Sequence, residues 1–401
     1  MRIGFLFLHE AAHQVAHSLP VALRLSVLRP EIAVEILYKA GDGEDELAAI
    51  AAAQPHRCRM TRLTVRSAAA RLAERVLGNS LPVGRVALLR ENIERFRGLD
   101  ALVVPEKTSL LLKTRFGLPD LPIVYTSHGA GDRAIGFDRP TGLFDFHLLP
   151  GAKIRDRFAE AGYLKPGGHA VVGYPKFDLM PPREQWPRLF DNDRPTVLYN
   201  PHPSPQLSSW YRMGRGILDF FATSRAYNLI FAPHVMMFKR RFAVAPDKLS
   251  IARPGRVPDQ YRRLPHMIID TGSAASVNMT YALAADIYLG DASSQVYEFL
   301  IEPRPCLFAN PHGIAWTGDP NFAHWEFGPV FTSIDDDTGP FANDQVTFDN
   351  TLFLHGTATE QVVGLPGRDA AVLVDIEGLT SFLFRPFRLK RRLVLIEKVH
   401  V

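Results

Sequence analysis

A short apolar run, Ile287 to Leu289, stops at Gly290-Asp291 and gives way to Ala292-Ser293-Ser294, where a helix is expected to begin. A helix start leaves backbone N–H groups without internal partners, and the aligned peptide dipoles place partial positive charge there. Small hydroxyl residues at that point cap the helix and can also donate to phosphate oxygens. Ser293 and Ser294 are therefore expected to bind phosphate. The turn has neither the glycine pattern of a P-loop nor that of a dinucleotide fingerprint. An ordinary helix cap is the alternative reading of the same residues.

Three further clusters stand directly after short apolar runs, where open α/β sheets bind ligands. Ser127-His128-Gly129-Ala130-Gly131-Asp132-Arg133 follows Ile123–Thr126. A histidine there suits general-base work near neutral pH, the glycines admit a ligand to the backbone, and Arg133 offers charge to an anion. Gly173-Tyr174-Pro175-Lys176 follows Ala170–Val172, with Lys176 as a phosphate partner. His234 follows Leu229–Phe231 and is expected to stabilise charge on a leaving diphosphate; His202, in Asn200-Pro201-His202-Pro203, reads better as part of a proline-braced turn.

These clusters must be positioned by alternating strands and helices. Ile3–Leu8, Ile32–Tyr38, Ala101–Val104, Ile123–Thr126, Phe146–Leu149 and Ala170–Val172 read as strands, with helical stretches at His13–Leu28 and Glu44–Ala53. Short apolar runs separated by helices imply a parallel sheet covered on both faces. Residues 181–195, rich in proline and polar side chains, read as a linker. The alternation restarts at Thr196–Tyr199 and continues through Leu229–Phe231, Met267–Ile269, Ile287–Leu289 and Cys306–Phe308. The expected fold class is α/β and GT-B-like, two Rossmann-like domains facing across a cleft. The first covers residues 1–180 and the second 196–345; residues 346–401 form an extension expected to pack back on the first.

A length of 401 residues suits two domains, and 46% hydrophobic with 22% charged residues describes a globular chain. No run of 18 apolar residues is present, and Met1–Leu8 breaks into His9-Glu10 before a signal-peptide core could form, so a cytoplasmic protein is expected. Two cysteines, Cys58 and Cys306, exclude a disulfide framework and a four-thiolate metal site. Net charge is only +4, yet Arg57, Arg59, Arg62, Arg66, Arg71, Arg75, Arg85, Arg90, Arg95 and Arg97 face only Glu74, Glu91 and Glu94 between residues 56 and 98. Apolar Met60, Leu63, Leu72, Val76 and Leu77 are interleaved with them. Such a segment can lie on an anionic membrane surface or be a plain solvated face. A second basic cluster spans Arg385–Arg392; neither cluster carries a nucleic-acid recognition motif.

Taken in order, His128 with Arg133, Gly173-Tyr174-Pro175-Lys176 with Asp178, Pro233-His234, and Asp291-Ala292-Ser293-Ser294 with Glu298 and Arg304-Pro305 resemble the CDP-glycerol glycerophosphotransferase family of teichoic-acid and capsule enzymes. Gly328-Pro329, Thr332 and the acidic run Asp335-Asp336-Asp337 are similar to segments of that family, and the likeness covers roughly residues 120 to 340. It implies a GT-B fold and transfer of glycerol phosphate, or a related polyol phosphate, from a CDP-activated donor to a hydroxyl of a glycan or lipid-linked acceptor. It implies His128 as the base, His234 at the donor diphosphate, Ser293, Ser294, Lys176 and Arg133 on its phosphates, and Asp291 and Glu298 at the nucleotide. No metal and no cofactor are expected; the acidic run reads as a solvated turn. Three departures stand out: Arg133 where the family often has lysine, Val235 where it has proline, and Glu298 where it has aspartate. A nucleotide-sugar glycosyltransferase, a UDP-sugar 2-epimerase-like isomerase or a non-enzymatic surface binder would use the same parts.

Overall fold

The computed structural model describes residues 1–334 apart from 9–11, 42, 78–81, 127–128, 130, 133–136, 240–241 and 246–249. The first unit is built on β1 (Arg2–Phe7), β2 (Ala33–Lys39), β3 (Arg59–Leu63), β4 (Ala101–Val104), β5 (Ile123–Thr126), β6 (Phe146–Leu149) and β7 (His169–Val171). They form one parallel sheet in the order β3-β2-β1-β4-β5-β6-β7. The second unit contains β8 (Thr196–Asn200), β9 (Asn228–Phe231), a two-stranded antiparallel ribbon of β10 (Ala243–Ala245) and β11 (Ser250–Ala252), β12 (Met267–Ile269), β13 (Ile287–Gly290), β14 (Cys306–Ala309) and β15 (Val330–Phe331). Its sheet is parallel with the order β12-β9-β8-β13-β14-β15.

Both orders are the doubly wound one: each unit lays two strands to one side of its first strand, then reverses and lays the rest to the other. Chain composition explains why. β4, β5, β6, β8, β9, β13 and β14 are buried at every position, as strands covered on both faces must be. In the first unit, Phe5, Ile36, Val103 and Val124 pack under helix Leu19–Leu28, while Leu6, Leu37, Leu102 and Ile123 pack against Leu88, Leu89 and Phe96 on the opposite face. In the second, Val197, Tyr199, Leu229 and Phe231 meet helix Trp210–Thr223, and Leu198, Ile230 and Phe308 meet Tyr297 and Trp325.

Several local expectations change. The helical stretch at His13–Leu28 splits into a 3-10 segment, Ala12–His17, and an α-helix, Leu19–Leu28, whose first turn holds Pro20; proline lacks the N–H that continuing the helix through Ser18 would need. The basic segment includes a strand, β3, with only Thr61 and Leu63 buried. It forms one edge of the sheet, where exposed Arg59 and Arg62 discourage pairing with another chain. The remainder forms helices Ala68–Leu77, Val83–Glu91 and Ile93–Arg97. Within 181–195, the expected linker, Phe190 is buried in the second unit's core together with Tyr174 and Phe177, so the crossing chain is anchored. The 346–401 extension and the Arg385–Arg392 cluster lie outside the described residues.

Candidate functional site

β8 and β13 are neighbours at the point where the second sheet reverses its order, so their carboxyl ends diverge and open a crevice. Asp291, fully buried at the end of β13, ties that crevice together. Its Oδ1 accepts from the N–H of His202 (2.8 Å) and of Ala292 (2.7 Å), and its Oδ2 from the N–H (2.6 Å) and hydroxyl (2.8 Å) of Ser209. Burial pushes its carboxyl up to about 6, with these donors offsetting part of the effect. Asp291 thus braces the ends of β8 and β13 from beneath.

The two serines face different surroundings. Ser293 is buried and its Oγ accepts from the Gln295 N–H at 3.4 Å, whereas Ser294 is exposed. The helix expected to open at this pair is a single turn, Val296–Phe299. So short a helix has little macrodipole, and the exposed hydroxyl becomes the group of interest. Across from it stands the first unit: a Cβ built on Gly131 would lie 2.8 Å from Ser294 Cβ, and one on Gly129 would lie 4.0 Å from Ser294 Oγ. Gly129 holds φ +155, a conformation open to glycine and strained for other residues. The glycine loop after β5 and the serine turn after β13 therefore meet. His128 and Arg133 lie outside the described residues.

His202 and His234 stand at the ends of the adjacent strands β8 and β9, with ring centroids 5.9 Å apart. Each Nδ1 accepts a backbone N–H two residues on, from Ser204 (3.0 Å) and Met236 (3.2 Å). An Nδ1 used as acceptor puts the hydrogen of a neutral ring on Nε2. Both side chains are thereby held as Nε2–H donors, a state suited to stabilising negative charge. His202 belongs with His234, which the proline-braced reading of its segment did not anticipate.

Lys176 and Glu298 come together as a buried ion pair, Nζ to Oε1 2.7 Å, and Tyr174 donates its hydroxyl to the same oxygen at 3.3 Å. Glu298 Oε2 is buried without a hydrogen-bond partner. Lys176 also lines a cavity of about 460 Å³ between the units, with Glu46, Ile50, Asp178, Asn278 and Met279. Burial raises the Glu46 carboxyl, with the Lys176 charge opposing it. Arg304 is structural: its guanidinium donates to the carbonyls of Ala282 (2.9 Å), Ala285 (2.7 Å) and Phe299, capping two helix ends.

Sequence reasoning passed over one constellation. Asp132, buried just after the glycine loop, accepts from the N–H (3.1 Å) and ring Nδ1 (2.9 Å) of His324, from the Tyr297 hydroxyl and from Lys153. The Nε2 of His324 and the Nε1 of Trp325 both reach the Asp291 carbonyl oxygen at 2.9 Å. Burial would raise the Asp132 carboxyl, but the His324 hydrogen bond and the Lys153 and His324 charges hold it down to about 2. Arg157 adds hydrogen bonds to the carbonyls of Asp132 and Pro320 (3.1 Å) and to Asn321 Oδ1 (3.1 Å). Asp132 stands inside the His128–Arg133 cluster, which marks it by position; His324 lies in the 3-10 segment Pro320–Phe327, which carries no motif.

Among the described residues, no three His, Cys, Asp or Glu side chains group as metal ligands, and no helix is long and apolar enough to cross a membrane. The acidic run 335–337 lies outside the described residues.

The two sheets and the facing strand ends define a two-domain GT-B-like α/β fold, and solved structures share it. A wall teichoic acid polymerase TagF soaked with CDPG superposes with a TM-score of 0.58 at 13% identity, covering 95% of this chain and 88% of that one. A UDP-GlcNAc 2-epimerase from Neisseria meningitidis bound to UDP-GlcNAc superposes with a TM-score of 0.52 at 12% identity, covering 95% and 100%. A putative UDP-N-acetylglucosamine 2-epimerase from Listeria monocytogenes gives 0.50 at 14%, covering 77% and 78%. No family model matches the chain, and no curated protein matches its sequence. At these identities the likeness establishes the fold.

Proposed function

We propose that the chain is a transferase moving glycerol phosphate, or a related polyol phosphate, from a CDP-activated donor to a hydroxyl of a cell-surface glycan or lipid-linked acceptor. The observation that carries this reading is the meeting of Gly129 and Gly131 with exposed Ser294, because it joins the loop of the expected base to the turn of the expected phosphate site. His128 would take the acceptor proton as the acceptor oxygen attacks the phosphorus bearing the polyol. The bond from that phosphorus to the bridging oxygen breaks, and CMP leaves with the bridging oxygen. The Nε2–H groups of His202 and His234, with Ser294 and Arg133, would neutralise the charge on the departing phosphate. Glu298, steadied by Lys176, has an oxygen free to accept a ribose hydroxyl admitted beside it. The cavity rimmed by Glu46, Asp178 and Asn278 suits a hydroxyl-rich acceptor.

The second reading is a UDP-sugar 2-epimerase-like isomerase, favoured by the full-length superposition on a 2-epimerase. Incubation with labelled CDP-glycerol, CDP-ribitol and UDP-GlcNAc separates the two. Release of CMP with the polyol phosphate found on an acceptor supports the transferase; interconversion of the sugar epimers with no transfer overturns it in favour of the isomerase. Under the transferase reading, His128→Ala abolishes turnover and leaves CDP binding near wild type, while Ser294→Ala weakens CDP binding.

A further inference from the structure

His324 is 2% exposed and stands between the two units, its Nδ1 2.9 Å from Asp132 Oδ2 and its Nε2 2.9 Å from the backbone oxygen of Asp291. A carboxylate and a carbonyl oxygen only accept. A neutral imidazole carries one ring hydrogen, so one of its two contacts would press lone pair against lone pair where water has no access. An imidazolium donates at both nitrogens and satisfies both. We infer that His324 is a buried imidazolium and a positioning residue: it pins the loop containing Gly131 and Asp132, from the first unit, to the backbone of the Asp291–Ser294 turn of the second.

The groups around the ring fit that charge. Among the described residues, Asp132 is the one carboxylate hydrogen-bonded to it. Helix Ala152–Glu160 brings Lys153 to the other carboxylate oxygen and Arg157 to the Asp132 carbonyl; Val296–Phe299 brings the Tyr297 hydroxyl. The remaining walls are aromatic, Phe308 at 5.6 Å and Trp325 at 6.1 Å between ring centroids. His324 belongs to the second unit, so its hydrogen bond to Asp132 crosses between the units, beside those of Tyr297 and Arg157, while its hydrogen bond to the Asp291 carbonyl ties that crossing contact to the serine turn. Trp325, next to His324 in the chain, supplies the second hydrogen bond to that carbonyl. The inference stands apart from the choice of donor, since its readouts are ring hydrogens and backbone exchange.

Two measurements test it. In ¹⁵N spectra of histidine-labelled wild-type protein at neutral pH, with His324 assigned through its contacts to the Trp325 indole, both ring nitrogens are expected to be of the protonated type. A ring with one bare nitrogen overturns the inference, whatever becomes of any variant. In hydrogen exchange, His324→Gln and Asp132→Asn are each expected to raise the rate about tenfold or more in the peptides spanning 129–132 and 291–295 together, as loss of a charge-assisted hydrogen bond implies. The double variant is expected to lose no more than the worse single one. Unchanged exchange in either peptide, or additive losses, also overturns it.

Discussion

Gly131 and Ser294, 163 positions apart in the chain, approach so closely that a methyl group on the glycine would stand 2.8 Å from the serine Cβ. The contact joins a loop of the first sheet to a turn of the second. Gly131→Ala is expected to push that turn away and weaken CDP binding about tenfold, since overpacking a close contact costs about 1–3 kcal/mol. Calorimetric titration with CDP checks it; unchanged affinity would mean that the contact has no bearing on the site.

The Lys176–Glu298 pair has both side chains under a tenth exposed. Lys176→Met leaves Glu298 charged and uncompensated, with an expected loss of about 3–5 kcal/mol in denaturant unfolding. The double change to Met and Leu should recover most of that loss, because apolar packing replaces the buried pair without an orphaned charge.

Asp291 and Asp132 push the pH dependence of stability in opposite directions. The folded-state value of Asp291, about 6, exceeds the ordinary 3.8, so folding favours its protonated form. Its contribution is present below about pH 4 and lost as pH rises through about 6. Asp132, at about 2, contributes above about pH 4 and loses that contribution as pH falls toward 2. Denaturant unfolding across this range is expected to show Asp291→Asn removing the decline between about pH 4 and 6, and Asp132→Asn removing the acid loss.

Helix Ala68–Leu77 leaves Leu72 62% and Val76 71% exposed, one turn apart, beside exposed Arg71 and Arg75. Apolar side chains flanked by arginines on an unburied face suit a surface of anionic lipid. Flotation with anionic vesicles is expected to show binding that salt weakens, absent on neutral vesicles. Arg71→Gln with Arg75→Gln should reduce it about thirtyfold, at about 1 kcal/mol per charge. Binding that ignores salt would remove the electrostatic part of the proposal.

Two parallel sheets are legible in the chain because strands buried on both faces must be short unbroken apolar runs, and Leu102, Val124, Leu198 and Leu289 sit in such runs. The turn after β13 is legible too, since Gly290, Asp291 and the serines mark where a strand ends. The edge strand β3 is not, because with one buried face its Arg59-Met60-Thr61-Arg62-Leu63 looks like any basic segment. Nor does local spacing show that Lys176 meets Glu298, that His202 stands beside His234, or that Asp132 is held by His324, 192 positions away. Composition and periodicity report whether a residue is buried; which charge it meets there depends on how two separately wound sheets turn their strand ends toward each other, and that is decided only when the units pack.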